Sequence, residues 1–302
     1  MTSCDSQYSS GMHVRMIVAI VVISFTLIAE TIGGVVSNSL ALLSDAGHVL
    51  TDLVALILSC VAFRLTTKSA DTQRSYGYHR FQVMAAFVNG VSLLVIAALM
   101  TVEAIHRFID PVEVDGQLML YVAVFGFVAN VAVFFIMYRK NECNLNVQSA
   151  LLHVVGDLLG SVAAIVSSIV IQLSGWQLID PLLTVAISFI MVYSAFRVVK
   201  NSSNILLEGK PYDIDIEDVK THILSSVAGI IDVHHVHLWS LTADYPIMTM
   251  HVKISGTEGA HSQPLFVVKT IKKLLRERFG ITHITIEVET GECSDANVES
   301  PE

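Results

Sequence analysis

The sequence predicts an α-helical polytopic membrane protein with six transmembrane helices, followed by a small α+β domain. Three observations lead to this prediction: six long apolar stretches, a shortage of charged residues, and a change of composition near residue 208. Of the 302 residues, 53% are hydrophobic and 15% are charged, whereas ordinary soluble domains carry about 25% charged residues. This composition excludes a disordered chain and most soluble enzymes. The net charge of −9 argues against a nucleic-acid partner, which needs clustered Lys and Arg.

Each apolar stretch is long enough for the roughly 20 residues that cross a hydrocarbon core. The predicted spans are 14–35, 40–64, 81–107, 117–138, 148–173 and 178–199. The first is too long for a removable signal peptide and leads directly into the second.

Basic residues near the span ends predict the orientation. Nine lie on the side that the N-terminus and the C-terminal domain share: Arg15, Arg64, Lys68, Arg74, Arg80, Arg139, Lys140, Arg197 and Lys200. Only Arg107 lies on the opposite side. The positive-inside rule therefore places both termini in the cytoplasm.

The C-terminal part reads as α-β-β-α-β. The predicted elements are a helix over 216–226, strands over 233–241 and 247–254, a helix over 263–279 and a strand over 282–288. This order suits a small open-faced α/β sandwich. We expect a transport domain over 1–207, a cytosolic domain over 208–292 and a disordered tail over 293–302. The four cysteines form no C-x-x-C pair and are interpreted as incidental thiols.

Two predicted spans carry the same pentad, H-x-x-x-D. His48 and Asp52 lie in span two, and His153 and Asp157 lie in span five. A spacing of four places both side chains of a pair on one helix face, one turn apart. Ionisable side chains inside a membrane are costly and are functional candidates by default. Two facing pairs supply two nitrogens and two oxygens, which suits tetrahedral Zn²⁺ better than Mg²⁺ or Ca²⁺.

The alternative for each pair is a plain hydrogen bond to a neighbouring span. The repetition of the pentad on two spans favours a single ion site built from all four residues. Asp45, one turn before His48, is a candidate for the site entrance or a proton path, and equally for a carboxylate hydrated at the interface.

These motifs resemble the cation diffusion facilitator family over almost the entire chain. The resemblance lies in Ser39–Asp52 (SLALLSDAGHVLTD), Ser75–Arg80 (SYGYHR), His153–Asp157 (HVVGD) and Val233–Leu241 (VHHVHLWSL). It implies a homodimeric divalent-metal/proton antiporter with six spans and a ferredoxin-like cytosolic domain. His48 resembles the zinc-selective members, since Asp at that position accompanies broader zinc and cadmium handling. The loop 139–146 lacks the His-rich insertion common in eukaryotic vesicular members, which favours an exporter of the bacterial plasma (inner) membrane.

The resemblance also implies a cytosolic metal site. Matching the family position by position favours His234, His251, His261, Glu287 and Glu289 as its ligands. The family often has His or Asp where the two glutamates stand, so the number of bound ions stays open. His235, His237 and His283 are expected to be bystanders or outer-layer groups.

Two further expectations concern the connection between spans two and three. The family's loop metal site is expected to be absent or degraded, because Arg74 and Tyr78 stand where that site carries histidines, beside Asp71. Arg80 is expected to pair with Glu208 as a charge interlock where the membrane and soluble parts meet, against the alternative of two separately solvated charges.

We therefore expect a Zn²⁺/H⁺ antiporter, not an enzyme, that exports Zn²⁺ from the cytoplasm, with Cd²⁺ and other divalent transition metals as further candidate substrates. Its expected partners are Zn²⁺, H⁺, the lipid bilayer and a second copy of the chain. A membrane-anchored metal sensor is the first rival, although an anchor needs no chelating pairs within its spans. An intramembrane zinc hydrolase is the second, but it needs H-E-x-x-H and a vacant coordination position.

Overall fold

The computed structural model describes residues 4–66, 70–137, 145–255, 264–291 and 293. The chain forms two compact units. The first combines Met1–Val61 with Ala85–Val199, and the second combines Ala62–Met84 with Lys200–Glu302. The second unit thus contains the connection between the second and third helices as well as the C-terminal domain.

Six long helices account for most of the first 206 residues. They are α1 (Cys4–Ser37), α2 (Leu40–Thr66), α3 (Arg80–Ile109), α4 (Gly116–Met137), α5 (Leu145–Ser174) and α6 (Ile179–Leu206). Within the described residues, α3 and α6 and most of α1 and α4 are long and apolar enough to span a membrane, by length and composition. The helices α2 and α5 carry the two polar pentads. The prediction of a helical membrane domain is confirmed.

The start of α2 is held by a carboxylate from α6. Asp180 is fully buried. Its side chain accepts hydrogen bonds from Ser39 Oγ at 2.8 Å, from the Leu40 backbone N–H at 2.7 Å and from that of Ala41 at 3.3 Å. The first N–H groups of a helix lack intrahelical partners and attract negative charge. Asp180 therefore fixes the N-terminal end of α2, and the polar pentad follows later in the same helix.

The helices α2 and α5 run in opposite directions where they meet. Ala41 and Leu42, at the start of α2, share a buried apolar cluster with Ala164 and Ile171 in the second half of α5. Further along α2, Asp45 contacts Ser161, which comes earlier in α5, so residue numbers increase along α2 in the direction in which they decrease along α5.

The C-terminal domain is a three-stranded sheet with two helices. Its elements are α7 (Ile216–Ser226), β1 (Ile230–Thr242), β2 (Tyr245–Ile254), α8 (Pro264–Phe279) and β3 (His283–Glu289). The strand order is β1-β2-β3, with β1 antiparallel and β3 parallel to β2. Buried aliphatic residues from both helices and all three strands form one core. The predicted α-β-β-α-β order is confirmed.

Local signals explain the helix boundaries in this domain. Asp215 caps α7 by accepting a hydrogen bond from the Glu217 backbone N–H at 3.1 Å. Gly280 ends α8 with a φ of 67°, and the Ile281 N–H then bonds the Leu275 carbonyl at 3.3 Å. The predicted bounds of α7 match the structure. At the turn, β1 ends one residue later and β2 begins two residues earlier than predicted, because the turn contains only residues 243–244, and β1 also begins three residues earlier than predicted.

Candidate functional site

The pentad of α2 forms a pair as its spacing predicts. His48 Nε2 lies 3.7 Å from Asp52 Oδ2, and both side chains are largely buried. The hydroxyl of Thr51, between them in the sequence, donates a hydrogen bond to the His48 carbonyl at 2.7 Å. This hydrogen bond uses the hydroxyl proton, which is therefore not donated to either side chain of the pair. One nitrogen and one oxygen of α2 are thus presented together.

A second polar contact joins α2 to α5 beside this pair. Asp45 is 4% exposed and accepts a hydrogen bond from Ser161 Oγ of α5 at 2.9 Å. Asn130 of α4 donates to the same hydroxyl at 3.4 Å. Gly160 permits this approach, because a Cβ at that position would lie 2.5 Å from Asp45 Oδ1. Three helices therefore meet around one buried carboxylate.

The α5 half of the predicted site is described only by its backbone. His153 and Asp157 lie within α5, but their side chains lie outside the part that the structure describes. The four-residue ligand set His48, Asp52, His153 and Asp157 stays a prediction.

A compact cluster of ligating atoms extends across all three strands near one end of the C-terminal sheet. His234, His251, Glu289 and Cys293 each offer one ligand atom, and these four atoms all lie within 4.8 Å of one another. The sheet register assembles three of them: His234 of β1 is paired with His251 of β2, which is paired with Glu287 of β3, and Glu289 lies two residues further along β3, on the same face. We refer to His234, His251, Glu289 and Cys293 as the sheet-edge cluster.

The distances in the sheet-edge cluster suit a tetrahedral metal. His251 Nδ1 lies 3.0 Å from Glu289 Oε1 and 3.7 Å from Cys293 Sγ, and His234 Nε2 lies 3.1 Å from Glu289 Oε2. Ligands at typical zinc bond lengths around a tetrahedron are about 3.4 to 3.6 Å apart. The sulfur–nitrogen distance matches this separation, whereas the two carboxylate–imidazole distances are a few tenths of an ångström shorter. The residues present therefore fit a bound zinc-like cation.

His234 is oriented by a carboxylate on its far side. Asp232 Oδ2 lies 2.9 Å from His234 Nδ1, and because an ionised carboxylate can only accept, Nδ1 donates. When the ring is neutral, its Nε2 therefore carries a lone pair toward Glu289. Both Nε2 of His234 and Oε2 of Glu289 are buried without a hydrogen bond of good geometry, although they lie 3.1 Å apart. Two buried acceptors facing each other in this way favour a cation between them.

Glu289 is held as a carboxylate by its surroundings. Burial by itself raises the pKa of Glu289, but hydrogen bonds from Cys293 and His251, together with the positive charge of His234 and His251 when these rings are protonated, outweigh it, so the pKa lies below its ordinary value. Glu289 is thus ready to bind a cation near neutral pH.

An irregularity in β1 brings a further histidine to the cluster. The register shifts between His234 and His237, and His235 takes a left-handed conformation with a φ of 46°. Its ring centroid lies 5.1 Å from that of His251. Such a bulge re-aims side chains at sheet edges and next to functional sites. The bulge places His235 beside the sheet-edge cluster, but His235 is not one of the four residues whose ligand atoms converge.

The structure brings together three of the five predicted cytosolic ligands, His234, His251 and Glu289. Glu287 lies on the other side of the His251 ring, with its Oε2 3.5 Å from Nε2, and is half exposed. His261 lies outside the described residues. Cys293, predicted from the sequence to be an incidental thiol, lies in the sheet-edge cluster. It follows shortly after β3, and the fold brings its Sγ to His251.

The predicted charge pair and the loop before it lie within the second unit. Arg80 Nη2 is 3.0 Å from Glu208 Oε1, and both side chains are partly exposed. Asp71 is engaged by its own loop, since its carboxylate accepts from the Tyr78 hydroxyl at 2.7 Å and from the backbone N–H groups of Arg74 and Gln73. These hydrogen bonds lower the pKa of Asp71, with that from Tyr78 contributing most.

Family models match nearly the whole chain. The model described as the cation efflux transmembrane domain matches residues 16–207. The model described as the cation efflux protein, cytoplasmic domain, matches residues 211–291.

Curated relatives have similar length and substantial identity. The zinc transporter ZitB of Pectobacterium atrosepticum is 38% identical over 96% of this chain and 89% of its own length. The cadmium, cobalt and zinc/H(+)-K(+) antiporter of Bacillus velezensis is 37% identical over 91% of this chain and 88% of its own length. The metal cation efflux system protein CzcD of Cupriavidus metallidurans is 36% identical over 90% and 84%. The solved metal-bound C-terminal domain of CzcD is 30% identical, with a TM-score of 0.22, over 25% of this chain and 99% of that one.

Proposed function

The chain belongs to the cation efflux family, and we propose that it exchanges cytoplasmic Zn²⁺ for external protons through one site shared by α2 and α5. Membership in this family confirms the predictions of a multi-pass membrane transporter and of a carrier rather than an enzyme. The observation that carries the proposed mechanism is the buried contact between Asp45 and the Gly160–Ser161 segment.

That contact sets the alignment of the two helices. Asp45 of α2 and Ser161 of α5 lie at the same depth, because they share a 2.9 Å hydrogen bond. From that level, increasing residue numbers on α2 and decreasing residue numbers on α5 lead in the same direction.

The two pentads then fall at matching depths. At about 1.5 Å of rise per residue, His48 and Asp52 lie about 4.5 and 10.5 Å along α2 from the shared level. On the same rise, Asp157 and His153 lie about 6 and 12 Å along α5. This alignment supports one four-ligand site, in which each imidazole of one helix lies near the depth of a carboxylate of the other.

The charge of such a site supports exchange. Two ionised aspartates with two neutral histidines carry −2, which is costly in a low-dielectric membrane interior. One Zn²⁺ neutralises this charge, and so do two protons. A carrier that crosses the membrane only with a neutralised site therefore returns with protons after it has released the metal.

The direction and location follow from the orientation. The nine-to-one distribution of basic residues favours cytoplasmic termini, and a proton gradient directed into the cell then drives zinc outward. The names of the relatives, which include zinc, cadmium and cobalt, support zinc with other divalent transition metals as substrates. We propose the bacterial plasma membrane as its location.

The cytosolic domain, in this proposal, senses zinc and holds two copies of the chain together. The sheet-edge cluster is built from a folded sheet and is separate in sequence from the transport pentads. Metal bound there offsets the repulsion between acidic groups of the domain, so that zinc in the cytoplasm stabilises the homodimer. His261 and Glu287 remain proposed ligands of this region.

The experiment is zinc flux in proteoliposomes with the pH of each side clamped independently. We expect a pH gradient of either direction, with the acidic side inside or outside the liposomes, to move Zn²⁺ against its own gradient and opposite to the flow of protons. His48→Ala should reduce this flux at least about a hundredfold, because three ligands hold the ion far less well. His106→Ala, on α3 and outside both pentads, is the matched control and should transport normally.

Flux that follows only the zinc gradient would make the protein a uniporter and defeat the antiport proposal. A protein that binds zinc but moves none would favour the sensor. The alternative of a hydrolase has already been removed by the family assignment.

A further inference from the structure

We propose that Cys293 is a thiolate ligand that completes a four-ligand site with His234, His251 and Glu289, and that this site selects a thiophilic divalent cation, Zn²⁺ or Cd²⁺, over Mg²⁺ or Mn²⁺. The inference deepens the sensing role of the cytosolic domain and rests on that part of the proposed function. Within the described residues, this is the group of ligating side chains whose donor atoms converge.

The sulfur of Cys293 lies close enough to His251 for both to bind one metal ion. Cys293 Sγ lies 3.7 Å from His251 Nδ1. A sulfur at about 2.3 Å and a nitrogen at about 2.1 Å from one tetrahedral zinc are about 3.6 Å apart. The two atoms therefore already stand at the separation of co-ligands.

The remaining two donors, from Glu289 and His234, converge on the same place. Glu289 presents one oxygen to His251 at 3.0 Å and the other to His234 at 3.1 Å. Its carboxylate lies between the two histidines and is 6% exposed, and the His251 side chain is 13% exposed. Water has limited access to these donors, so a bound ion would be held by protein atoms on most sides. A four-ligand set with little solvent is typical of structural and sensing sites rather than of catalytic ones.

Donor chemistry decides which ion fits. Magnesium and manganese prefer oxygen ligands, and magnesium demands six of them in an octahedron. The sheet-edge cluster offers one carboxylate, two imidazoles and one thiol, a mixed set that suits zinc and, through the sulfur, cadmium. The predicted transport site contains two imidazoles, two carboxylates and no sulfur. The sulfur of Cys293 therefore distinguishes the two sites, and its bond to a metal can be observed directly.

Cobalt(II) provides the probe, because it replaces zinc and its thiolate complexes absorb through sulfur-to-metal charge transfer, which nitrogen and oxygen ligands do not give. The parent protein is the full-length chain with Cys4→Ser, Cys60→Ser and Cys143→Ser, so that Cys293 is its one cysteine. Purified in detergent and titrated with Co²⁺, it should develop the charge-transfer band. Added Zn²⁺ or Cd²⁺ should abolish the band, while the same concentration of Mg²⁺ or Mn²⁺ should leave it.

Cys293→Ser in that parent should remove the band and weaken Co²⁺ binding to the cytosolic domain by about tenfold or more. His234→Ala, which keeps the thiol, should also reduce the band, because the sulfur alone does not hold the ion. His237→Ala, on an exposed position of the same strand, should leave it unchanged.

A parent protein without the band, a band that survives His234→Ala at full strength, or equal displacement by Mn²⁺ and Zn²⁺ would each overturn the proposal. These outcomes are independent of transport. A failure of the antiport mechanism would appear as zinc flux that ignores the pH gradient, with the cobalt band intact.

Discussion

His48 and Asp52 come together through four residues of one helix, whereas His234, His251 and Glu289 come together through the register of three strands. In the first case the geometry is local, because the helix repeat alone brings the two side chains to one face. In the second it depends on the pairing of β2 with its two neighbours and on the chain segment that follows β3. The membrane pair is therefore fixed once α2 forms, and the sheet-edge cluster exists only when the whole domain is folded.

This difference has a consequence for how each site responds to its ion. A ligand set drawn from three strands links parts of the fold that separate on unfolding, so a bound ion stabilises the entire domain. A pair on one helix persists when the neighbouring helix moves. That property suits a carrier, in which α2 and α5 must change their relative position during transport.

The largest effect that we expect concerns the sheet-edge cluster. Zinc at a hundred times its dissociation constant should stabilise the folded protein by about 2.7 kcal/mol, seen as a rise in the melting temperature of the full-length chain with His48→Ala, a substitution that weakens the proposed transport site. His234→Ala should remove most of this rise, since it deletes a ligand that Asp232 orients. His237→Ala, exposed on the same strand, should keep it. An equal zinc-dependent rise in both variants would show that the ion binds elsewhere.

The same contrast explains what the sequence could reveal. The six helices, the order of elements in the C-terminal domain and the bounds of α7 follow from hydrophobic period and capping residues, which are local signals. The roles of Asp180 and Cys293 could not be predicted in this way. Asp180 acts on the start of α2 from 140 residues away, and Cys293 contacts His251 from 42 residues away. Both depend on packing that no sequence period encodes.

A smaller effect is expected at the contact between α2 and α5. Gly160→Val places a side chain where a Cβ would already lie 2.5 Å from Asp45 Oδ1, so Asp45 must turn away from Ser161. Overpacking of this kind costs about 1–3 kcal/mol, and we expect zinc flux to fall by about tenfold or more. Leu159→Ala, one position earlier on an exposed face, is the control. Normal zinc flux in the Gly160→Val variant would contradict the proposed alignment of the two pentads.

The smallest effect is expected from Arg80 and Glu208. Their 3.0 Å ion pair is partly exposed, and such pairs contribute about 0.2–1 kcal/mol. Arg80→Glu and Glu208→Arg should each lower the melting temperature slightly, more so at low salt, and the double variant should recover part of the loss. Additive losses in the double variant would show two separately solvated charges.

The central claim is that His48, Asp52, His153 and Asp157 bind one zinc ion together. X-ray absorption at the zinc edge tests it most directly, with a full-length variant whose sheet-edge cluster is removed by His234→Ala, His251→Ala and Cys293→Ser. We expect one zinc per chain with four nitrogen or oxygen neighbours at about 2.0–2.2 Å, imidazole scattering from two histidines and no sulfur. That zinc should be lost when His48→Ala or Asp157→Ala is added. A sulfur neighbour, or zinc retained in full after both additions, would contradict the account.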